Sequence, residues 1–195
     1  MTTATGTPTT GTPAPIAPVM GNVYAARFAF AVLWAVVLVL TASSLDSIAP
    51  VSALTVVLLV LYPLVDLAAA VIDLRSGRAS RPTALHLTMV LSAAAAVGLA
   101  IAVSDDLAAV LRVWGAWAVT AGIVQLVVAL GRREQGGQWA QILSGGISVL
   151  AGGSFIAQAG SDSASLGSIA GYATLGGIFF LISAVRLHRA AKAAR

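Results

Sequence analysis

The stretch YPLVDLAAAVIDLRSGR, residues 62–78, closes an apolar run that begins near residue 51, and it ends on arginines. A helix needs about 20 mostly apolar residues to cross about 30 Å of hydrocarbon, and residues 51–74 supply them without a lysine or arginine. The pattern returns twice downstream. WAVTAGIVQLVVALGRR begins at residue 117 and YATLGGIFFLISAVRLH at residue 172, a constant step of 55. An aromatic residue leads each copy (Tyr62, Trp117, Tyr172), and each finishes in a basic cluster. The second and third copies also share Ala118/Ala173, Gly122/Gly177, Ile123/Ile178, Leu126/Leu181 and Ala129/Ala184.

Further apolar runs at 23–42, 83–103 and 139–159 alternate with these, which extend over 51–74, 107–130 and 166–187. Six spans in three two-helix units, about 23–78, 79–133 and 134–189, are therefore expected. Units of two helices enter the bilayer the same way up, so they are related by an axis along the membrane normal. The expected fold is an all-α integral membrane protein, a pseudo-threefold bundle of six transmembrane helices. Composition agrees: 58% of residues are hydrophobic and 9% charged, far too little polar surface for a soluble domain.

The basic residues orient the bundle. Arg75, Arg78 and Arg81 follow span two, Arg132 and Arg133 span four, and Arg186, Arg189, Lys192 and Arg195 span six. Arg27 is read as the start of span one, on the same side. The other connections hold Asp46, Asp105, Asp106 and Asp162, with Arg112 the one cation there. The positive-inside rule makes the basic side cytoplasmic, so both termini are expected in the cytoplasm of a bacterial inner membrane. The net charge of +4 is a topology signal, with some attraction to anionic lipid, and nucleic acid is not an expected partner. Residues 1–22, rich in Thr, Pro and Gly and without charge, read as a disordered tail with Met20 as a candidate start, and 190–195 as a basic tail.

No enzyme chemistry is legible. The absence of cysteine excludes disulfides, thiolate metal sites and cysteine nucleophiles. Two histidines, His86 and His188, cannot make a histidine metal cluster, and the spans contain no Ser/His, paired-Asp or HExxH arrangement. No cofactor and no metal are expected. Small residues instead mark close helix approach: Ser144, Ser148 and Gly152 line one face of span five, and Ala118–Gly122 and Ala173–Gly177 repeat the spacing on spans four and six. That packing fits either the bundle interior or an interface between copies, so a homo-oligomer or a membrane-protein partner is expected.

The repeated hairpin, the endings GIVQLVVALGRR and GGIFFLISAVRLHR and the total length resemble the HdeD-like family of small bacterial membrane proteins, over roughly residues 23–190. The resemblance implies an inner-membrane protein linked to acid-stress survival, with no catalytic residues to carry over. The first repeat departs from the pattern, with Leu67 where the other two have glycine and with Pro63 added.

Asp66, Ala69, Ala70 and Asp73 share one helical face that should point into the bundle, while Leu64, Leu67, Val71 and Leu74 form a stripe for lipid. Asp73 lies beside Arg75 near the boundary. Asp66 is about 12 Å deeper, where an aspartate costs roughly 2.5–3.5 kcal/mol on the insertion scale. Pro63 is expected to kink or restart the helix, leaving Asp66 in the first turn of a half-helix. Candidate hydrogen-bond partners are Thr88, Ser92, Thr120, Gln125 and Ser183. Asp66, with Asp73 and His86, is the candidate for taking up a proton in acid. Tyr24, Trp114 and Trp139 fit aromatic belts, and Trp34 and Trp117 fit packing or lipid-facing positions.

Two functions follow. One is a non-enzymatic scaffold or stress component acting through helix packing. The other is a small-solute channel or proton-linked transporter using Asp66, against which stand a lack of membrane-embedded Lys or Arg and a sparse polar lining.

Overall fold

The computed structural model describes residues 16–42, 52–75, 82–131, 133, 138–161 and 164–193. They form six helices: α1 (Ile16–Ala42), α2 (Ala53–Arg75), α3 (Pro82–Ala102), α4 (Leu107–Leu130), α5 (Trp139–Gln158) and α6 (Leu166–Ala193). Each contains a stretch long and apolar enough to cross a membrane. The chain is a multi-pass helical membrane protein by this measure.

Local chemistry sets several boundaries. Ser52 opens α2, its Oγ accepting from the Thr55 N–H at 3.2 Å, and Asp106 caps α4, its Oδ1 accepting from the Ala109 N–H at 2.6 Å. Pro82 opens α3, where a missing N–H costs nothing. α1 starts at Ile16, inside the segment expected to be a disordered tail; residues 1–15 lie outside the described part. The half-helix expected at Pro63 is not found: α2 runs unbroken through it, so Asp66 sits mid-helix. In the turn before the proline, the Leu58 carbonyl accepts from Trp34 Nε1 at 2.7 Å, which pins α1 to α2.

The helices close into a ring in chain order, because α6 returns to α1. The most extensive contacts are α1 with α6, α4 with α5 and α2 with α3; α3–α4 is intermediate, and α1–α2 and α5–α6 are the lightest. The three more extensive seams thus alternate around the ring with the three lighter ones. At the α4–α5 seam, glycines meet reciprocally. A Cβ on Gly152 would lie 2.5 Å from the Gly115 carbonyl oxygen, and one on Gly122 2.8 Å from that of Gly145. The backbones touch because nothing stands between them, and dispersion accumulates where lipid gives no hydrophobic drive. Ala118 and Ala173 are buried, and Gly177 packs on Ala31. The small residues read from the sequence are thus occupied within the bundle.

Outward, Leu33, Leu40, Val90, Ile101 and Leu150 are exposed apolar side chains, as a lipid-facing surface requires. On α2 the exposed stripe is Leu61, Leu64, Ala68 and Ile72, turned from the expected one, of which Leu64 is exposed and Leu67, Val71 and Leu74 are half-buried. Inward, the bundle has two unlike halves. The half away from the basic ends is solid: Trp34, Leu38, Leu59, Leu99, Leu111 and Ile169 are buried together. Trp114, expected in an aromatic belt, is wholly buried there, stacked on Trp34 at 5.5 Å. Trp139 is 53% exposed, in keeping with a belt position.

Gly152→Val places atoms against a backbone oxygen that cannot retreat, and overpacking of this kind typically costs about 1–3 kcal/mol. Gly153→Val points into open space. Thermal unfolding in detergent is expected to show a clear loss of stability for Gly152→Val and little change for Gly153→Val; equal behaviour would contradict the seam.

Candidate functional site

The other half of the bundle is hollow. A cavity of about 460 Å³ lies among all six helices on the side that carries Arg75, Arg133, Arg186 and Arg189. It is built from the N-terminal halves of α1, α3 and α5 and from the middle and C-terminal parts of α2, α4 and α6. Positions 55 residues apart reach it together. Tyr62, Trp117 and Tyr172 line it, as do Asp66, Ala121 and Gly176 one turn further along.

Its floor is aromatic. The Tyr62 ring lies 4.7 Å from Trp34, 5.5 Å from Trp114 and 6.1 Å from Trp117, and Phe155 meets Tyr172 edge-on at 5.7 Å. Such pairings favour tilted and edge-to-face geometry because the ring edge is positive and the face negative. Trp114 lies at the centre of this cluster, and its buried Nε1 has no hydrogen-bond partner among the described residues. The floor separates the cavity from the solid half.

Above the floor stands an ion pair. Arg27 of α1 donates from Nη2 to Oδ1 of Asp66 on α2, with about a fifth of each side chain exposed to the cavity. The other carboxylate oxygen, Oδ2, accepts from the Ser92 hydroxyl of α3 at 2.9 Å. Ser92 Oγ in turn accepts from Trp117 Nε1 of α4 at 3.3 Å. One relay therefore ties four helices together at mid-depth. On the opposite wall the Tyr172 hydroxyl of α6 donates to Ser148 Oγ of α5 at 3.0 Å, so the pairing of an α3 serine with an α4 aromatic has a counterpart in the next hairpin. Gln125 donates from Nε2 to the Gln141 carbonyl at 3.1 Å, closing α4 to α5 nearer the mouth.

The guanidinium has a second contact: Arg27 Cζ sits 4.1 Å from the centroid of Phe180, which Tyr24 stacks against from α1 at 6.2 Å. Tyr24, expected in a belt, thus lines the cavity. Contrary to the expected lack of an embedded cation and of polar lining, Arg27 lies within a span, and the mixed apolar and polar lining carries Thr88, Gln125, Gln141, Ser144 and Ser183 beside the carboxylates.

Of the expected acid-sensing residues, Asp66 and Asp73 both line the cavity. His86 does not join them. It is exposed on α3, with its Nδ1 at 2.7 Å from the Pro82 carbonyl of its own helix. Ser92 alone among the expected partners hydrogen-bonds Asp66. Of the basic residues, Arg75, Arg133, Arg186 and Arg189 are exposed around the cavity end, while Arg78, Arg81 and Arg132 lie outside the described residues. No group of three metal-ligating His, Asp or Glu side chains occurs among the described residues.

Arg27 is the residue that sequence reasoning misplaced. The signal was the apolar stretch IAPVMGNVYAA before it, which extends the helix by more than two turns and carries the arginine away from the membrane boundary. Compared with protein-family models, with curated proteins and with solved structures, the chain matches none of them.

A partly buried pair is most costly when one partner is removed and the other left alone. Arg27→Gln and Asp66→Asn are each expected to lower stability, while the double variant recovers part of the loss, with a coupling of about 1–3 kcal/mol in a double-mutant cycle. Additive losses in urea or thermal unfolding would contradict a direct pair.

Proposed function

We propose that this chain is a non-enzymatic inner-membrane protein that takes up a small solute from the cytoplasmic side, a carrier or channel sealed at its outer half. One observation carries the reading: a partly polar cavity of about 460 Å³ opens among six apolar helices and ends on an ion pair and an aromatic floor. A scaffold has no need of either feature, whereas a solute site needs a concave space with a few converging polar groups. Ionisable residues inside a membrane usually face such a cavity and mark a pathway.

The orientation rests on the positive-inside rule applied to Arg75, Arg133, Arg186 and Arg189, which all lie at the cavity end. Both termini are then cytoplasmic. The pseudo-threefold arrangement is part of the same proposal, supported by the convergence of Tyr62, Trp117 and Tyr172 on one cavity and by the matching serine–aromatic bonds of the second and third hairpins. The HdeD-like resemblance fits a role in the cell's stress response. Breaking the Arg27–Asp66 pair would loosen a contact between two helices, a local change of the kind that biases a two-state element. Association between copies is not required, because the small residues that suggested it pack inside.

Purified protein in liposomes loaded with a pH-sensitive dye is expected to show proton flux, or solute entry by osmotic swelling, that exceeds empty liposomes. Asp66→Asn is expected to abolish it while the protein still unfolds cooperatively. No flux of either kind across a range of pH and voltage would overturn the proposal.

A further inference from the structure

We infer that the solute class of this cavity is a weakly hydrated organic cation, and that the Arg27 guanidinium is a tethered occupant which such a ligand displaces. The inference rests on the cavity being a solute site, as proposed above.

The chain already shows how the site treats a cation. Arg27 is held there by a carboxylate on one side, Asp66, and by the face of Phe180 at 4.1 Å on the other. A planar delocalised cation takes both contacts at once: charge to the carboxylate, and its weakly hydrated face to the negative face of a ring. Three more rings with the same chemistry, Tyr62, Trp117 and Tyr172, line the same space. An aromatic enclosure with a carboxylate is how quaternary ammonium groups are recognised elsewhere.

Other classes fit less well. An anion finds one cation in the described lining, Arg27, whose charge Asp66 already meets. A hard metal ion asks for a shell of oxygen ligands, and no cluster of three acidic or histidine side chains is present among the described residues. A purely apolar solute leaves the buried polar relay without purpose. The basic residues at the mouth add selectivity, because they disfavour a cation that gains only charge contacts inside. One that also gains contact with aromatic faces is affected less.

Arg27 then acts as an intramolecular competitor. A ligand that pairs with Asp66 must take the carboxylate from the guanidinium, so affinity reflects the difference between two cations on one anion. Removing the arginine leaves Asp66 open to the ligand.

The test uses two ions of nearly one shape and opposite charge, tetraphenylphosphonium and tetraphenylborate, titrated calorimetrically into the full chain in nanodiscs, with empty nanodiscs subtracted. Saturable binding of the phosphonium and none of the borate is expected for the wild type, which needs no variant to fold. Asp66→Asn is expected to weaken phosphonium binding at least about tenfold, and Arg27→Gln to tighten it by about tenfold. His86→Gln, outside the cavity, is expected to leave it unchanged. Borate binding as tight as the phosphonium, or phosphonium binding indifferent to Asp66→Asn, overturns the inference. If the borate alone binds saturably, the cation class falls while the solute site stands. If neither ion binds and liposomes show no flux, both fall.

Discussion

A carboxylate at mid-depth in a hydrocarbon slab is costly unless its oxygens are engaged, and the arrangement around Asp66 answers that constraint. Both oxygens are engaged, one by the Arg27 guanidinium and one by the Ser92 hydroxyl. Arginine brings a charge that is itself costly in lipid, so the pair holds only where each supplies what the other lacks and a polar space reaches both. The consequences spread through four helices. α1 and α2 must meet at that depth, α3 must bring Ser92 to the same place, and Trp117 of α4 completes the relay. The light direct packing between α1 and α2 makes this pair, with the Trp34 bond to the Leu58 carbonyl, the main tie between them.

The same logic explains why the bundle is solid at one end and hollow at the other. Bulky residues fill the half away from the basic clusters, and among the described residues the buried polar residue there is Thr55, whose Oγ1 lies 2.9 Å from Ser52 Oγ. Toward the basic end, small and polar residues such as Ala121, Ser144 and Gly176 leave the centre open. The glycine seam between α4 and α5 keeps that opening from collapsing outward, since those two helices are already in backbone contact. Packing around the ring is uneven: α1–α6 and α4–α5 are the most extensive seams, and α1–α2 and α5–α6 the lightest.

Much of this was readable beforehand. Span number, approximate ends and the inward face of Asp66 and Asp73 follow from length and periodicity, because lipid rewards only a few arrangements. The close approach at Gly122 and Gly152 was also signalled, although their partners Gly145 and Gly115 were not, since a small residue says nothing about which helix it meets. Arg27 was hidden by a boundary: extending α1 to Ile16 turns an edge residue into an interior one. Trp114 was misplaced for the opposite reason, as a position near a helix end says little about which way a side chain faces. Pro63 promised a break, but the helix runs through it.

The claim on which all of this depends is that water reaches Asp66 from one face of the membrane only. The chain has no cysteine, so single cysteines report cleanly. Cysteine placed at Ala121, beside the ion pair, and at Ala95, in the solid half, can be treated with a membrane-impermeant maleimide from either face of sealed, oriented vesicles. The account requires that the residue at 121 be modified only from the face bearing Arg75 and Arg186, and the one at 95 from neither. Modification at 121 from the opposite face, or at 95 from either, would contradict it.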